Sequence, residues 1–191
     1  MVFISTMSAF PGCKSMYGQA KLAIEDAGKA LGVQIVRPGL VYGPSPRGMV
    51  GSLLKLASLP LVTPMVGFGG QVLYLVHEQD LGALVTAMVR GDVSSSEPVI
   101  AAHDRGRTLR DIVDTLGRAS GAKGNKLHVP VPGELLYAGL RSLEIIGLRP
   151  RVRSDSLVSL LNQQVSPDFG PTRRTGVHFR GFNESSLVTA R

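Results

Sequence analysis

Short β-prone runs alternate with helix-periodic segments along the first two thirds of the chain, and that order leaves few folds open. Val2 to Ser5 is a brief apolar run suited to a buried strand. Ser15 to Leu31 follows with Ala20, Ala23, Ile24, Ala27 and Leu31 at helical spacing; Ser15 is placed to cap the start and Gly32 lies just past the end. Val33 to Val36 is strand-like again and is stopped by Pro38-Gly39. A helix over Met49 to Leu59, a Pro- and Gly-punctuated loop through Gly70 and a strand over Val72 to Val76 come next. Leu81, Leu84, Val85, Met88 and Val89 trace a further helix, and Val99 to Ala102 a short strand. Strands that alternate with helices need crossover connections, which predicts an α/β fold with a parallel sheet.

Beyond the last of these strands the pattern turns helical. Thr108 and Asp111 stand as a capping pair ahead of Leu109, Ile112, Val113 and Leu116. Pro132 suits the first position of a helix through Ile146, with Gly147 after its end, and Asp155 to Leu161 suits a last short helix. The stretch from Ser166, rich in Pro, Gly, Ser and Arg, is expected to be irregular. The organisation expected is therefore 1–120 as the main α/β unit, 121–165 as a helical extension and 166–191 as a tail.

Composition narrows the function classes. The chain has 191 residues, 43% of them hydrophobic, enough for a real core. Its formal charge of +7 would suit an anionic ligand or nucleic acid. The basic residues are dispersed, with the densest groups at Arg149, Arg151 and Arg153 and at Arg173 and Arg174, and no nucleic-acid-binding motif accompanies them. Arg149 to Arg153 is expected to be a solvated connection. Cys13 is the lone cysteine and the four histidines lack ligand spacing, so neither a disulfide nor a metal site is expected. No apolar run reaches membrane-spanning length, the segment from Leu53 to Phe68 being broken by Pro60 and Pro64, and the first residues do not read as a signal peptide. A cytoplasmic protein with a small-molecule substrate is expected, compatible with a homo-oligomer, and neither nucleic acid nor membrane is an expected partner.

Chemistry concentrates in Tyr17-Gly-Gln-Ala-Lys21, which puts a phenol and an ammonium one helical turn apart on one face. A phenol with an adjacent cation that favours the phenolate is a general acid/base in the making. Alone, such a pair is more often a surface lysine beside a half-buried tyrosine. Here a hydroxyl-rich strand end, Ser5-Thr6-Met7-Ser8-Ala9-Phe10, precedes it. Arg37-Pro38-Gly39-Leu40-Val41-Tyr42-Gly43-Pro44 follows the next strand, and Leu75-Val76-His77-Glu78-Gln79-Asp80-Leu81 comes later. In this order and spacing, over roughly residues 1 to 120, the chain resembles the C-terminal portion of an extended short-chain dehydrogenase/reductase of the NAD-dependent epimerase/dehydratase family.

That resemblance implies a partial Rossmann-like, doubly wound parallel sheet with a small substrate-side helical region. It implies Tyr17 as the catalytic acid/base, and Lys21 as the cation that favours its phenolate and hydrogen-bonds the nicotinamide ribose. Thr6 would orient the substrate oxygen, with Ser5 and Ser8 as alternatives because the loop to Tyr17 is short. Pro38, Gly39, Leu40 and Val41 would line the nicotinamide pocket. The cofactor implied is NAD or NADP, and the reaction a hydride exchange at a carbonyl/alcohol centre of a nucleotide sugar or a similar small molecule. The family's Gly-rich dinucleotide loop does not occur in the sequence, so a truncated chain, inactive alone, is expected. A non-catalytic dinucleotide-sensing or accessory subunit of the same family is the alternative. Other residues read blandly: His77 as a satisfied structural histidine, Asp80 as a helix cap, Gly67-Phe68-Gly69-Gly70 as a turn, and Arg47 as a weak contact for a substrate phosphate.

Overall fold

A computed structural model of the chain describes residues 1–121, 127–148, 152–185 and 187. In chain order the elements are β1 (Val2–Ile4), α1 (Met16–Lys29), β2 (Gln34–Pro38), β3 (Leu40–Tyr42), α2 (Gly48–Ala57) and β4 (Val62–Val66). They continue with β5 (Val72–Leu73), β6 (Leu75–His77), α3 (Glu78–Arg90), β7 (Val99–Ala101), β8 (Arg107–Thr108) and α4 (Leu109–Ala119). The last are β9 (Leu127–Val131), α5 (Gly133–Ile145), α6 (Ser154–Leu161) and α7 (Gly170–Arg174).

The α/β expectation holds. β1, β2 and β7 form a parallel sheet in that order, with Ile4 opposite Val36 and Val36 opposite Val99. Alternate residues of a strand face opposite sides, and β2 uses this to seat one helix on each face. Val36 enters a core cluster with Leu84 and Met88 of α3, whereas the next residue, Arg37, reaches Glu25 of α1. A kink at Gly39 ends β2 and starts β3, which pairs in parallel with β6. Only glycine fits at this kink, since a Cβ would lie 2.3 Å from the Tyr74 carbonyl oxygen. A second core joins α2 to α4 through Val50, Leu53, Ala57, Ile112, Val113 and Leu116.

Three expectations change. First, the apolar stripe that marks α1 as a helix does not face the sheet. Ala20, Ala23, Ile24, Ala27 and Leu31 are all exposed, and the residues α1 buries are Gly18 and Glu25. Spacing located the helix correctly, but polar contacts decide which face turns inward. Second, the expected loop before Gly70 contains β4, which pairs in parallel with β9. Pro64 and Pro130 hid both strands, yet a pair of strands tolerates proline where the missing N–H is not needed. Third, the stretch from Ser166 is not a loose tail. It forms α7, buries Phe169 and Phe182, and Thr172 both donates to and accepts from the backbone of Ile100 in β7. The turn expected at Gly67 to Gly70 is present, with Gly67 and Gly69 at φ of +54° and +72°. Arg149 and Arg151 lie outside the described residues, and Arg153 stands at the N-cap position of α6 with no side-chain capping hydrogen bond.

Candidate functional site

The segment after β1 climbs from Ser5 to Phe10 before the chain enters α1. Thr6 Oγ1 accepts from the Ser8 amide at 3.2 Å, and the Met7 amide donates to the Pro38 carbonyl at 3.1 Å, which fastens this loop to the end of β2. α1 begins where Ser15 Oγ accepts from the Gly18 amide at 3.1 Å. A carboxylate assists from outside the helix. Asp155 of α6 accepts from the Met16 amide at 2.7 Å and the Tyr17 amide at 3.1 Å, satisfying donors that a helix start leaves unpaired. Gly18 permits the loop and helix to touch, since a Cβ there would lie 2.3 Å from the Ser8 carbonyl oxygen.

Tyr17 is half-exposed on the first turn of α1. One turn on, the Lys21 ammonium donates to the Ile4 carbonyl at 2.9 Å. It also stands 5.8 Å from the centre of the Tyr17 ring and 4.7 Å from that of Phe3, within cation–π range of both. Thr6, the next residue but one after Ile4, lines a cavity of about 170 Å³ together with Ser8, Pro38, Gly39 and Leu40. Tyr17, Lys21 and Val41 are not among its lining residues. Ser5, the third hydroxyl candidate, is buried and donates to Glu25 Oε1 at 2.5 Å.

Glu25 was not singled out by the sequence. It is fully buried, and both of its oxygens accept from Arg37: Nε at 2.9 and 3.2 Å and Nη2 at 2.5 Å. One carboxylate thus joins the residue before Thr6, the helix of Tyr17 and Lys21, and the residue before Pro38. A signal was present: Tyr17, Lys21 and Glu25 recur at four-residue spacing, hence on one helical face. Asp155 gave no such signal, because its partners lie more than 130 positions away.

His77 and Asp80 are structural. His77 Nδ1 accepts from the Gln79 amide at 3.2 Å, so His77 rather than Asp80 caps α3. Its ring stands edge-on to Tyr42 at 5.1 Å. Burial, and then the Arg180 guanidinium, push the His77 pKa below its ordinary value against the opposing carboxylates of Asp80 and Glu78. Asp80 instead holds the C-terminal stretch, accepting from the Arg180 amide at 2.9 Å and pairing with its guanidinium at 2.7 Å. Arg47 is exposed at the N-terminus of α2 and does not line the cavity. No helix among the described residues is long and apolar enough to cross a membrane.

No protein-family model matches the chain. Among curated proteins it is similar to ceramide reductase of Caulobacter vibrioides, 30% identical over 140 residues that make up 72% of this chain and 43% of that protein. Among solved structures it is similar to UDP-glucuronic acid 4-epimerase from Bacillus cereus, in complex with UDP-glucuronic acid and NAD. That match has a TM-score of 0.63 and 16% identity, and covers 97% of this chain and 58% of the other. TunA, an NAD-dependent NDP-hexosamine 5,6-dehydratase of tunicamycin biosynthesis, matches with a TM-score of 0.61 and 16% identity over 97% of this chain and 60% of its own. The chain therefore spans under half the length of the curated relative and about 60% of these structures. The parallel sheet and these neighbours agree on the fold: the chain has the Rossmann-like α/β fold of these epimerase and dehydratase structures and matches about 60% of each.

Proposed function

We propose that the chain carries the catalytic side of an NAD(P)-dependent oxidoreductase or epimerase acting on a carbonyl/alcohol centre. The observation that carries this reading is the Lys21 ammonium held over the Tyr17 ring by the Ile4 carbonyl, two residues before Thr6. A phenol beside a fixed cation can give a proton to a carbonyl oxygen or take one from an alcohol. The Thr6 hydroxyl, at the cavity edge, is the group that would hold that oxygen, with Ser8 as the neighbour able to share the task. Ser5 already donates its hydroxyl hydrogen bond to Glu25.

The residues present fit a nicotinamide. Pro38, Gly39 and Leu40 offer an apolar wall beside Thr6, and Lys21 lies on the adjoining helix. When bound, the dinucleotide supplies or accepts hydride; the protein's own part is to place the substrate oxygen and move its proton. The names of the relatives point to two kinds of substrate, nucleotide sugars for the epimerase and dehydratase and a ceramide-related compound for the reductase.

The test is nicotinamide-linked turnover with NADH and NADPH. It is run on the chain alone and on the chain joined to a strand, Gly-rich loop and helix ahead of Met1. Tyr17→Phe should abolish turnover while leaving the fold intact, and unchanged turnover sinks the assignment. A non-catalytic dinucleotide-sensing role is the second reading, favoured by Tyr17 lying outside the cavity lining. It requires NADH binding with no Tyr17-dependent turnover of any carbonyl substrate.

A further inference from the structure

The cavity beside Thr6 has a chemical character of its own, and it bears on which substrate the proposed site takes. Beyond the Pro38-Gly39-Leu40 edge assigned to the nicotinamide, its wall is built from Met7, Phe10, Met49, Leu53 and Leu73. The polar groups that interrupt this wall are uncharged: Thr6 and Ser8 at the β1 loop, and Ser156, Ser159, Gln163 and Gln164 on and just after α6. Among the described residues, none that lines it is Arg, Lys, Asp or Glu. Basic residues from the same segments are committed elsewhere. Arg37 is paired with Glu25, Arg107 donates to the Phe182 carbonyl, and Arg110 donates to His128.

A nucleotide diphosphate cannot be seated on such a wall. Its negative charges need guanidinium or ammonium partners, or a cluster of backbone amides, once they leave water. Buried without them, each charge loses hydration that nothing returns. A hydrocarbon chain meets the opposite balance. Burial in a wall of this kind strengthens binding by a factor of about four for each methylene. A cavity of about 150 Å³ with aliphatic and aromatic walls accommodates a benzene-sized guest, and this one is of similar size at about 170 Å³.

We infer that the cavity takes the uncharged aliphatic arm of the substrate, roughly six carbons deep, with the carbonyl or hydroxyl carbon at the Thr6 and Ser8 end. This rests on the reading of the site as one that works on a carbonyl/alcohol centre, and it makes an aliphatic ketone or alcohol, rather than a diphosphate-bearing portion, the part of the substrate housed here. The Ser and Gln groups of α6 then face the far part of the arm, where an uncharged hydroxyl or amide would find partners.

The test uses the full chain labelled at its methionine methyl groups, so that Met7 and Met49 report from inside the cavity. Methyl ketones from butanone to nonanone are titrated one at a time. Affinity should rise by a factor of about four per added carbon and level off once roughly six carbons are housed. UDP-glucuronic acid should leave both methyl signals unmoved. Ser159→Phe, which narrows the cavity from the α6 side, should abolish the chain-length dependence while the far-ultraviolet spectrum stays that of the parent. A chain-length series that is flat in the unaltered protein overturns the inference, as does UDP-glucuronic acid shifting Met7 and Met49 at lower concentration than any ketone. Binding in this assay needs neither hydride transfer nor Tyr17. Ketone binding with no Tyr17-dependent turnover by the chain joined to the strand, Gly-rich loop and helix therefore refutes the oxidoreductase reading and leaves the cavity assignment standing. Tyr17-dependent turnover of a nucleotide sugar with a flat ketone series does the reverse.

Discussion

Glu25→Ala is the most demanding perturbation this architecture offers. The carboxylate is fully buried, the Arg37 side chain is 16% exposed, and the two share three hydrogen bonds of 2.5 to 3.2 Å while Ser5 donates a fourth. Removing one member of a buried pair strands the other charge, which costs about 3–5 kcal/mol. For a domain of this size each kcal/mol moves the melting midpoint by about 2–4 °C, so a loss of roughly 6–20 °C is expected. Removing both charges has a different consequence. In Glu25→Leu with Arg37→Met no guanidinium is stranded, and the remaining defect is the Ser5 hydroxyl without its acceptor, about 1–3 kcal/mol. Adding Ser5→Ala should remove most of that defect, since an apolar replacement of a whole buried network is often close to neutral. Thermal and urea melts of the four proteins decide the matter. A Glu25→Ala variant within about 1 kcal/mol of the parent would falsify the pairing. A double variant no more stable than Glu25→Ala would show that shape, not charge, sets the cost.

Two further expectations follow from single groups. His77 has its pKa lowered by burial and by Arg180, so below its ordinary value of 6.5 the unfolded chain binds the proton more readily than the folded one. The stability His77 contributes is therefore present above about pH 6.5 and is lost as pH falls from there toward its folded pKa, where protonation also removes the Nδ1 acceptor that caps α3. The melting midpoint should fall over that window, and less so in His77→Asn, which keeps a cap acceptor without titrating; equal slopes would refute the assignment. Asp155→Ala should free the Met16 and Tyr17 amides and cost about 1 kcal/mol, read as a drop of a few degrees that Asp155→Asn largely restores. An unchanged melt for the Ala variant would show that α1 starts without help from α6.

What the sequence made legible was local. Ser15 and Thr108 stand where their hydroxyls cap α1 and α4, and the kink at Gly39 sits where Pro38-Gly39 announced a stop. The order of strand, helix and strand gave the parallel sheet, because crossover geometry leaves little choice. β4 could have been read as well. Val62 and Pro64 are exposed while Thr63 and Met65 are buried, a period-two pattern that outweighs one proline. What stayed hidden depends on long-range pairing. Nothing local tells that Phe169, Thr172 and Phe182 will close over the sheet, or that Arg180 will seek Asp80 a hundred residues away. The candidate site divides the same way. Spacing brought Tyr17 and Lys21 forward as candidates and the family resemblance brought Thr6, whereas Glu25 looked like an ordinary helix glutamate until β2 brought Arg37 to it.

The inverted orientation of α1 bears directly on what the proposed site needs. Apolar contacts hold a helix against a sheet but resist rotation about its axis weakly, because they have no direction. α1 is held by directional contacts at successive turns: Asp155 on its first amides, Lys21 on the Ile4 carbonyl, and Glu25 between Ser5 and Arg37. A rotation by one residue position, about 100° for an α-helix, would break every one of them at once. Hydrogen bonds weaken steeply outside a narrow range of angles, so together they set the angle of the helix as well as its position. A general acid must stay within hydrogen-bond reach of one particular oxygen, and a small misplacement is expensive in rate. An exposed apolar stripe and a buried glutamate are thus two sides of one solution, in which the inward face of α1 is given to contacts that fix the angle of the helix carrying Tyr17 and Lys21.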